Sequence, residues 1–386
     1  MPVKGRKVKK IILCILSVLL IVIALAAVYT FTFPLDGKVK AFNAPVSNGY
    51  SGDFQQNSKL ASLKKIDLGG YMRPETVIYR DGYLYSSCHG QLIRTSEEGL
   101  MTELIYDSEN GETLGFDFDK DGNIIFCDVR FEGNTPGIYK ADISGKTPVV
   151  TPLCTEVEGE KLCCPDAVAI ADNGIIYFSE ATEFSPVKYD NATHAFQYEC
   201  YYHSSNGKVC AYNPATGESW VLVSGFSGAN GIALSYDEKY LYFCETMEYC
   251  VWRIPVDARH VSKENGAELF LSNLPGCVDN LNRGQNGLYW VGLVSPRTAS
   301  WDEMLGNVLL RKILLRYSEI PDPSKPENAP EVGTAAVFAF DDSGSVREFL
   351  MAENSEYYSI TGAAETENRI YLHANNYEGY IVYIEK

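Results

Sequence analysis

The sequence has few cationic residues and few histidines. It holds 33 Lys and Arg against 50 Asp and Glu, for a formal net charge of −17, and it has only five histidines. It has no Cys-x-x-Cys pair and no Cys/His spacing typical of structural zinc. A surface this acidic repels nucleic acid and anionic lipid. These absences exclude zinc-finger and nucleic-acid-binding classes, and we predict no nucleic-acid partner.

Charge is also missing from residues 11–34, which form an apolar run long enough to cross a bilayer. Five basic residues precede the run: Lys4, Arg6, Lys7, Lys9 and Lys10. This asymmetry predicts a single-pass membrane protein with a cytoplasmic N-terminus and an extracellular or lumenal bulk. A cleaved signal peptide is the alternative, although its apolar region is typically about 7–15 residues long.

The composition changes again after the anchor. The predicted organisation is a basic cytoplasmic tail over 1–10, an anchor over 11–34, a polar stalk over 35–61 and one exported domain over 62–386. Ten of the eleven cysteines follow the anchor, an even number that permits disulfides in an exported domain. The alternative is that many are packed as small apolar residues, which we favour for Cys127, Cys210 and Cys244 because they lie in alternating strand patterns.

A sequence repeat that predicts a short strand, a tight turn and an aromatic-rich strand occurs six times, about 40 to 50 residues apart. Several copies carry Asp-Gly or Asn-Gly at the turn, the dipeptides typical of hairpins. The copies are PETVIYRDGYLYSSC from Pro74, LGFDFDKDGNIIFCD from Leu114, PDAVAIADNGIIYFSE from Pro165, ANGIALSYDEKYLYFCE from Ala229, VDNLNRGQNGLYWVG from Val278 and SITGAAETENRIYLHA from Ser359. One such unit cannot bury its own faces, so the repeats predict an all-β, six-bladed β-propeller.

The segments outside the copies predict how the ring closes and where insertions occur. Ser62 to Leu68 alternates like a strand before the first copy, and we expect it to pair with the last blade. An insertion over 183–206 contains Asn191-Ala192-Thr193, a glycosylation acceptor if the chain enters a eukaryotic secretory path.

A second insertion, in the fifth blade, predicts a helix over about 300–317. Ser300 is the expected N-cap, and apolar residues from Met304 to Leu314 recur at helical spacing. We expect this helix to pack over a face of the propeller. A lid or a membrane-surface helix is the alternative, because three basic residues accompany the apolar ones: Arg311, Lys312 and Arg316.

Three phrases in the middle of the chain resemble a known family. They are YNPATGE from Tyr212, SGFSGANGIALSYDEKYLYFCET from Ser224 and LPGCVDNLNRGQNGLYWVG from Leu274. They are similar to the strictosidine synthase-like branch of the gluconolactonase, senescence-marker and paraoxonase superfamily. The resemblance implies a six-bladed propeller. In hydrolytic members it also implies a divalent cation, usually Ca²⁺, at the mouth of the tunnel.

Carried over by position, the resemblance places cation ligands at Glu75, Asn230, Asp279 and Asn280. The alternative role for Asn280 is to hold Asp279 in place. A further asparagine ligand of the family falls on Pro165, which has no side-chain donor, so Asp166 is the candidate that compensates. The residue chemistry agrees, since inner strands start near one axis and carboxylate and amide oxygens suit Ca²⁺. A cation there could polarise an ester or lactone carbonyl and activate water, with Asp279 as ligand and base.

Two departures from the family limit the chemistry that the resemblance implies. The chain has no counterpart of the paraoxonase histidine pair, and each of its five histidines is predicted to be a surface or packed residue. The glutamate that carries amine–aldehyde condensation in strictosidine synthase aligns with Gly362, which argues against alkaloid synthesis.

The sequence therefore supports three functions. The first is a membrane-anchored, Ca²⁺-dependent hydrolase of esters or lactones. The second is a non-catalytic propeller that binds a small ligand or a partner protein at its tunnel mouth. The third is a scaffold in which the ion only ties the blades together.

Overall fold

The computed structural model describes residues 3–109, 111–130, 135–376 and 378–386. Within them, six antiparallel sheets follow one another along the chain, which confirms the predicted six-bladed propeller. At two of the hairpin turns, Asp81-Gly82 and Asn286-Gly287, both residues have positive φ, as the Asp-Gly and Asn-Gly dipeptides predict.

Strand β1 (Lys64–Asp67) comes before the first blade. The strands of the first three blades run from the axis outward in chain order: β2 (Pro74–Arg80), β3 (Tyr83–Cys88), β4 (Gln91–Ser96) and β5 (Thr102–Asp107) in blade 1; β6 (Gly111–Phe118), β7 (Ile124–Arg130), β8 (Gly137–Asp142) and β9 (Val149–Cys154) in blade 2; and, after the small hairpin of β10 (Glu156–Val157) and β11 (Glu160–Lys161), β12 (Pro165–Ile170), β13 (Ile176–Glu180), β14 (Gly207–Asn213) and β15 (Glu218–Phe226) in blade 3.

The last three blades repeat this arrangement. They comprise β16 (Ala229–Leu234), β17 (Tyr240–Glu245), β18 (Cys250–Pro255) and β20 (Glu268–Leu271) in blade 4, with β19 (Val261–Ser262) added to blade 3; β21 (Gly276–Arg283), β22 (Leu288–Pro296), β23 (Gly333–Asp341) and β24 (Val346–Ser355) in blade 5; and β25 (Ile360–Glu365), β26 (Arg369–Ala374) and β27 (Tyr380–Glu385) in blade 6. The helices are α1 (Val3–Thr32), α2 (Ala192–Tyr202), α3 (Lys263–Gly266), α4 (Ala299–Gly306) and α5 (Val308–Tyr317), with 3₁₀ turns at Gly52–Phe54, Thr246–Glu248 and Pro326–Asn328.

The ring closes as the sequence predicts. Strand β1 pairs antiparallel with β27, so residues from the two ends of the chain complete blade 6. Ile66 is buried in this closing pair, in the same cluster as Ile381. Pairing the terminal strand leaves neither end of the ring with an open sheet edge.

Helix α1 is long and apolar enough to cross a membrane, and no part of the propeller covers its apolar window. Met1 and Pro2 of the basic tail lie outside the described residues. The 35–61 segment that follows contacts the propeller at several points. Lys40 N donates to Tyr202 O at 3.0 Å, Phe42 N to Leu305 O at 3.1 Å, and the buried Leu60 donates its N–H to Met351 O at 3.1 Å.

The fifth-blade insertion is helical, but its details differ from the prediction. It forms two helices because Asn307 interrupts it and caps α5 through a hydrogen bond from Leu310 N. The N-cap of α4 is Thr298 rather than Ser300, since the Thr298 hydroxyl accepts from Trp301 N. Leu309 and Ile313, which the apolar spacing placed on a packed face, are exposed.

The 183–206 insertion contains a helix that the sequence analysis did not identify, α2. Its buried residues include Ala192, Ala195, Glu199 and Tyr202, and this helical spacing was the available signal. Asn191 is the N-cap, and its Nδ2 donates to Asp322 Oδ2 at 2.9 Å and to Ser324 Oγ at 3.1 Å. The nitrogen that a glycan would occupy is therefore used inside the fold.

All eleven cysteines lie within the described residues, and each is a free thiol. The fold therefore forms none of the disulfides that the even number of exported cysteines permits. Cys127, Cys210 and Cys244 are fully buried in strands, as the alternating pattern predicts. These three behave as small apolar core residues.

Candidate functional site

A β-bulge interrupts the innermost strand of every blade near its start. Between Pro165 and Val168, for example, two residues of β12 face a single residue of β13, and the other five innermost strands shift register at the equivalent place. A bulge adds one residue to one strand and re-aims the side chain that it carries. The first bulged residues are Glu75, Leu114, Asp166, Asn230, Asp279 and Thr361.

The register of β12 decides which of its residues occupies the bulge position in blade 3. Pro165 pairs with Glu180 outside the bulge, whereas Asp166 occupies the position of Asn230 and Asp279. Blade 3 therefore contributes a carboxylate at the ring position rather than the side chain of Pro165. In blade 6 the equivalent residue is Thr361, not Gly362.

Four of the five predicted site residues line one cavity of about 850 Å³ at this end of the propeller: Glu75, Asp166, Asn230 and Asp279. Asp279 and Asn230 are buried, while Glu75 and Asp166 are half-buried against the cavity. The residue after Asn230 is Gly231, where a side chain would not fit, because a Cβ there would lie 2.5 Å from Asn280 Cα in blade 5. Close packing of neighbouring innermost strands thus holds these side chains around the axis.

Burial raises the pKa of all three carboxyl groups, and charge repulsion adds to the shift of two of them. Burial raises the pKa of Asp166 well above its usual value, and the charges of Glu75 and Asp279 raise it further. Burial and the charge of Glu75 do the same to the pKa of Asp279, against a lowering hydrogen bond from Asn230. Glu75 also has a raised pKa because of burial. The site therefore concentrates negative charge without enough positive charge to balance it.

The amide of Asn230 adds a further oxygen donor to this group. Its Oδ1 is buried and has no hydrogen-bond partner among the described residues. Three carboxylates and an unsatisfied amide oxygen form a donor set that suits a hard divalent cation. No three His, Cys, Asp or Glu side chains in the described part of the chain lie close enough to hold a metal by themselves. The three carboxylates line one cavity but do not by themselves form a metal-binding group, so the fit to a cation rests on the chemistry of the donor set.

Asn280, the fifth predicted residue, lies behind the ring and holds Glu75. Its Nδ2 donates to Glu75 Oε1 at 2.7 Å and to Glu75 O at 3.0 Å. Asn280 thus takes the supporting role that the sequence analysis left open. The side chain that it holds is that of Glu75 rather than that of Asp279, which the sequence analysis expected.

A histidine that the sequence analysis assigned to packing also contacts Glu75. His373 is fully buried, and its Nδ1 lies 2.8 Å from Glu75 O and 2.9 Å from Thr361 Oγ1. Burial lowers the pKa of His373 to about 4, so the ring is neutral at physiological pH. His373 therefore supports the backbone of Glu75 and lies outside the cavity lining.

The cavity walls come from the insertions and are largely aromatic and apolar. Phe196 of α2, Trp301 of α4, Tyr249 and Tyr358 line it together with Met247. Arg73 is the cationic side chain among the lining residues. It donates from Nε and Nη2 to Asn375 Oδ1 at 2.8 and 2.6 Å. An apolar chamber thus lies over a floor of oxygen donors, which suits a ligand with an apolar body and a polar head.

Comparison with known sequences agrees with this architecture. The strictosidine synthase family model matches residues 166–257, and the strictosidine synthase-like N-terminal model matches residues 52–94. The chain is similar to this family over these two segments. Strictosidine synthase-like protein 4 of Arabidopsis thaliana is 27% identical over 81% of this chain and 79% of its own. Adipocyte plasma membrane-associated protein of Salmo salar is 24% identical over 75% of this chain and 70% of its own.

Solved propeller structures are also similar to this chain. A putative gluconolactonase superposes with a TM-score of 0.54 at 14% identity, covering 84% of this chain and 93% of its own. Regucalcin from Agrobacterium tumefaciens, described as a calcium-binding protein, gives a TM-score of 0.51 at 14% identity and covers 84% and 94%. At these identities the likeness extends to the fold alone.

Proposed function

We propose that the chain is a membrane-anchored hydrolase of esters or lactones that uses a divalent cation, Ca²⁺, at the mouth of its propeller. The observation that carries the proposal is that four oxygen donors at equivalent bulge positions, Glu75, Asp166, Asn230 and Asp279, line one cavity. Three carboxyl groups whose pKa values are raised by burial, two of them also by the charge of Glu75, are costly to bring together. A cation offsets that repulsion and satisfies Asn230 Oδ1. The calcium-binding protein and the gluconolactonase among the similar propellers are consistent with this function.

Each residue of the proposed site would have its own role. Glu75, Asp166, Asn230 and Asp279 would hold the cation, and Asn280 would orient Glu75. When bound, such an ion supplies Lewis-acid polarisation of a carbonyl group. Asp279 is also the proposed proton acceptor, because its carboxylate lines the cavity and burial raises its pKa, which makes it a stronger base than an ordinary carboxylate.

The cavity walls indicate the shape of the substrate. Phe196, Tyr249, Trp301 and Tyr358 would contact an apolar acyl or alkoxy group and keep water away from it. The ester or lactone carbonyl would then lie toward the carboxylate floor. This arrangement favours amphipathic esters and lactones over strongly hydrophilic ones.

The anchor part of the proposal rests on α1. Its apolar window is uncovered in the described chain, and basic residues precede it. The name of the similar adipocyte plasma membrane-associated proteins is consistent with membrane attachment. The excess of basic residues on the N-terminal side supports a cytoplasmic N-terminus and an extracellular or lumenal propeller.

The test combines cation binding with turnover. Calorimetry of the full chain in detergent measures Ca²⁺ binding, and a panel of aryl esters and lactones measures hydrolysis before and after chelation. We expect Asp279→Asn to abolish both. Asp81→Asn is the matched control, because Asp81 lies on an exposed turn with φ of 51°, a conformation that Asn tolerates. Unchanged turnover in Asp279→Asn would contradict the mechanism.

The second candidate is a non-catalytic propeller that binds a ligand or partner at the same mouth. It is favoured by the cavity lining, since the described residues place no histidine there. Ca²⁺ and ligand binding without turnover of any ester or lactone in the panel would favour this function over hydrolysis.

A further inference from the structure

Helix α5 has two opposite faces, and only one of them contacts the propeller. The inner face carries Val308 and Leu315, which pack in the cluster of Val39 and Tyr202, and Arg311, which is fully buried. Arg311 donates to Tyr201 O at 2.9 Å and to Leu305 O at 2.6 Å. These contacts fix the rotation of α5 about its axis, so the direction of the outer face is fixed too.

The outer face is apolar and exposed. Leu309, Leu310, Ile313 and Tyr317 are between 39% and 53% exposed. At about 100° per residue they fall within an arc of about 100°, directly opposite the inner face. Lys312 and Arg316 lie at the border of that arc. An apolar stripe edged by basic side chains is typical of helices that lie in a membrane interface.

Helix α5 lies beside α1, and this position indicates that the membrane covers the outer face of α5. Tyr317 Oη lies 3.0 Å from Thr30 Oγ1 and donates to Ala26 O at 3.2 Å. The Arg316 guanidinium lies 4.9 Å from the centre of the Tyr29 ring. Ala26 is six residues before the end of α1 at Thr32, which corresponds to about 9 Å along the helix. The end of α5 thus contacts the part of α1 that would enter the bilayer.

We propose that α5 lies in the interface of the membrane that α1 crosses, with Leu309, Leu310, Ile313 and Tyr317 among the lipid headgroups and upper acyl chains. This inference rests on the anchor part of the proposed function. Lys312 and Arg316 reach the headgroup region, and Tyr317 joins Tyr29 at the depth where tyrosines collect. A flat contact made by two helices holds the propeller in one orientation, which α1 alone would not.

The orientation of the propeller at the membrane determines which way the cavity opens. Helices α2 and α4 line it, and α5 follows α4 directly, so all three lie at the same end of the propeller. The turns at Gly82 and Glu97 lie at the other end and are joined by a hydrogen bond from Glu97 N to Gly82 O. With α5 docked, the mouth of the cavity faces the bilayer, where amphipathic esters accumulate.

The test uses the full chain reconstituted in phosphatidylcholine vesicles with or without brominated acyl chains, which quench tryptophan at short range. Ile313→Trp adds a reporter on the outer face of α5. Leu100→Trp is the control, because Leu100 is 87% exposed near Glu97 at the opposite end of the propeller. Val18→Trp reports insertion of α1. Fluorescence is taken as the difference from the parent chain, and circular dichroism checks that each variant folds.

We expect brominated lipid to quench the added tryptophans at 313 and 18 and to leave that at 100 unchanged. Quenching at 18 without quenching at 313 overturns the inference and leaves the anchor standing. Quenching at neither position overturns both. If the residue at 313 is instead protected by a second copy or another protein, it also stays unquenched, and the membrane proposal for α5 is wrong.

Discussion

Asp166 occupies in blade 3 the bulge position that Asp279 occupies in blade 5. Both side chains line the cavity, and the charge of Glu75 adds to burial in raising the pKa of each. The two residues are far apart in sequence, and the sequence preceding them differs, Pro165 in one case and Val278 in the other. Equivalent placement by the bulge makes Asp166 a candidate ligand on the same footing as Asp279.

This equivalence gives the first prediction. Asp166→Asn removes one negative charge and keeps the side-chain shape, so we expect Ca²⁺ affinity to fall by about 10-fold or more, since affinity follows the number of charged ligands. Calorimetric titration of the full chain measures the change. Asp81→Asn on its exposed turn should leave the affinity unaltered. Equal affinities for wild type and Asp166→Asn would remove this residue from the site.

The second prediction concerns the hydrogen bond from Asn280 to Glu75. Asn280→Ala leaves Glu75 without its 2.7 Å partner, and we expect Ca²⁺ affinity to fall by about 10- to 100-fold, the usual cost of losing a residue that orients a ligand. Asn123→Ala is the control, because Asn123 is also buried and donates to a carboxylate, Asp119, away from the cavity. A similar loss of affinity in both variants would mean that only stability was affected.

The third prediction is the pH dependence of cation binding. Glu75, Asp166 and Asp279 have raised pKa values in the folded chain, so without a cation they retain protons above the usual carboxyl range. The cation must displace those protons. Affinity should therefore rise as pH is raised and fall as pH is lowered.

The same shifts link stability to pH. In the cation-free chain, the unfolding free energy falls as pH rises from the ordinary carboxyl pKa through the raised values of these three groups. It falls because the folded state then loses protons that the unfolded state has already lost. Saturating Ca²⁺ should reduce this decline. Calorimetric titrations at several pH values between about 5 and 8 test the prediction, and a pH-independent affinity would contradict it.

The fourth prediction concerns Gly362. A Cβ at this position would lie 2.5 Å from His373 Cε1 and 2.8 Å from Asn282 Oδ1. We expect Gly362→Ala to cost about 1–3 kcal/mol of unfolding free energy by overpacking.

Chemical denaturation measures this cost. Gly145→Ala should be neutral or slightly stabilising, because its nearest neighbour would lie 3.6 Å away on an exposed turn. If both alanines are tolerated equally, the space next to His373 can adjust. A larger side chain at 362, such as the glutamate of strictosidine synthase, would then become possible there.

The sequence alone determined the repeated unit, and with it the number of blades. Hairpin dipeptides, alternating apolar residues and a strand before the first repeat follow from local chemistry, so six copies and the closure by β1 could be read directly. The resemblance to a known family pointed to Glu75, Asn230 and Asp279, and all three line the cavity. Helix α1 follows from its long apolar run.

Only the tertiary structure decided which residue of each strand faces the cavity. A bulge adds one residue and reverses the side-chain alternation, and its position depends on pairing with the next strand. Hence Asp166, rather than Pro165, joins the ring. The faces of α5 were decided in the same way, because burial of Arg311 against backbone carbonyls from distant segments outweighs the apolar spacing and leaves Ile313 outside.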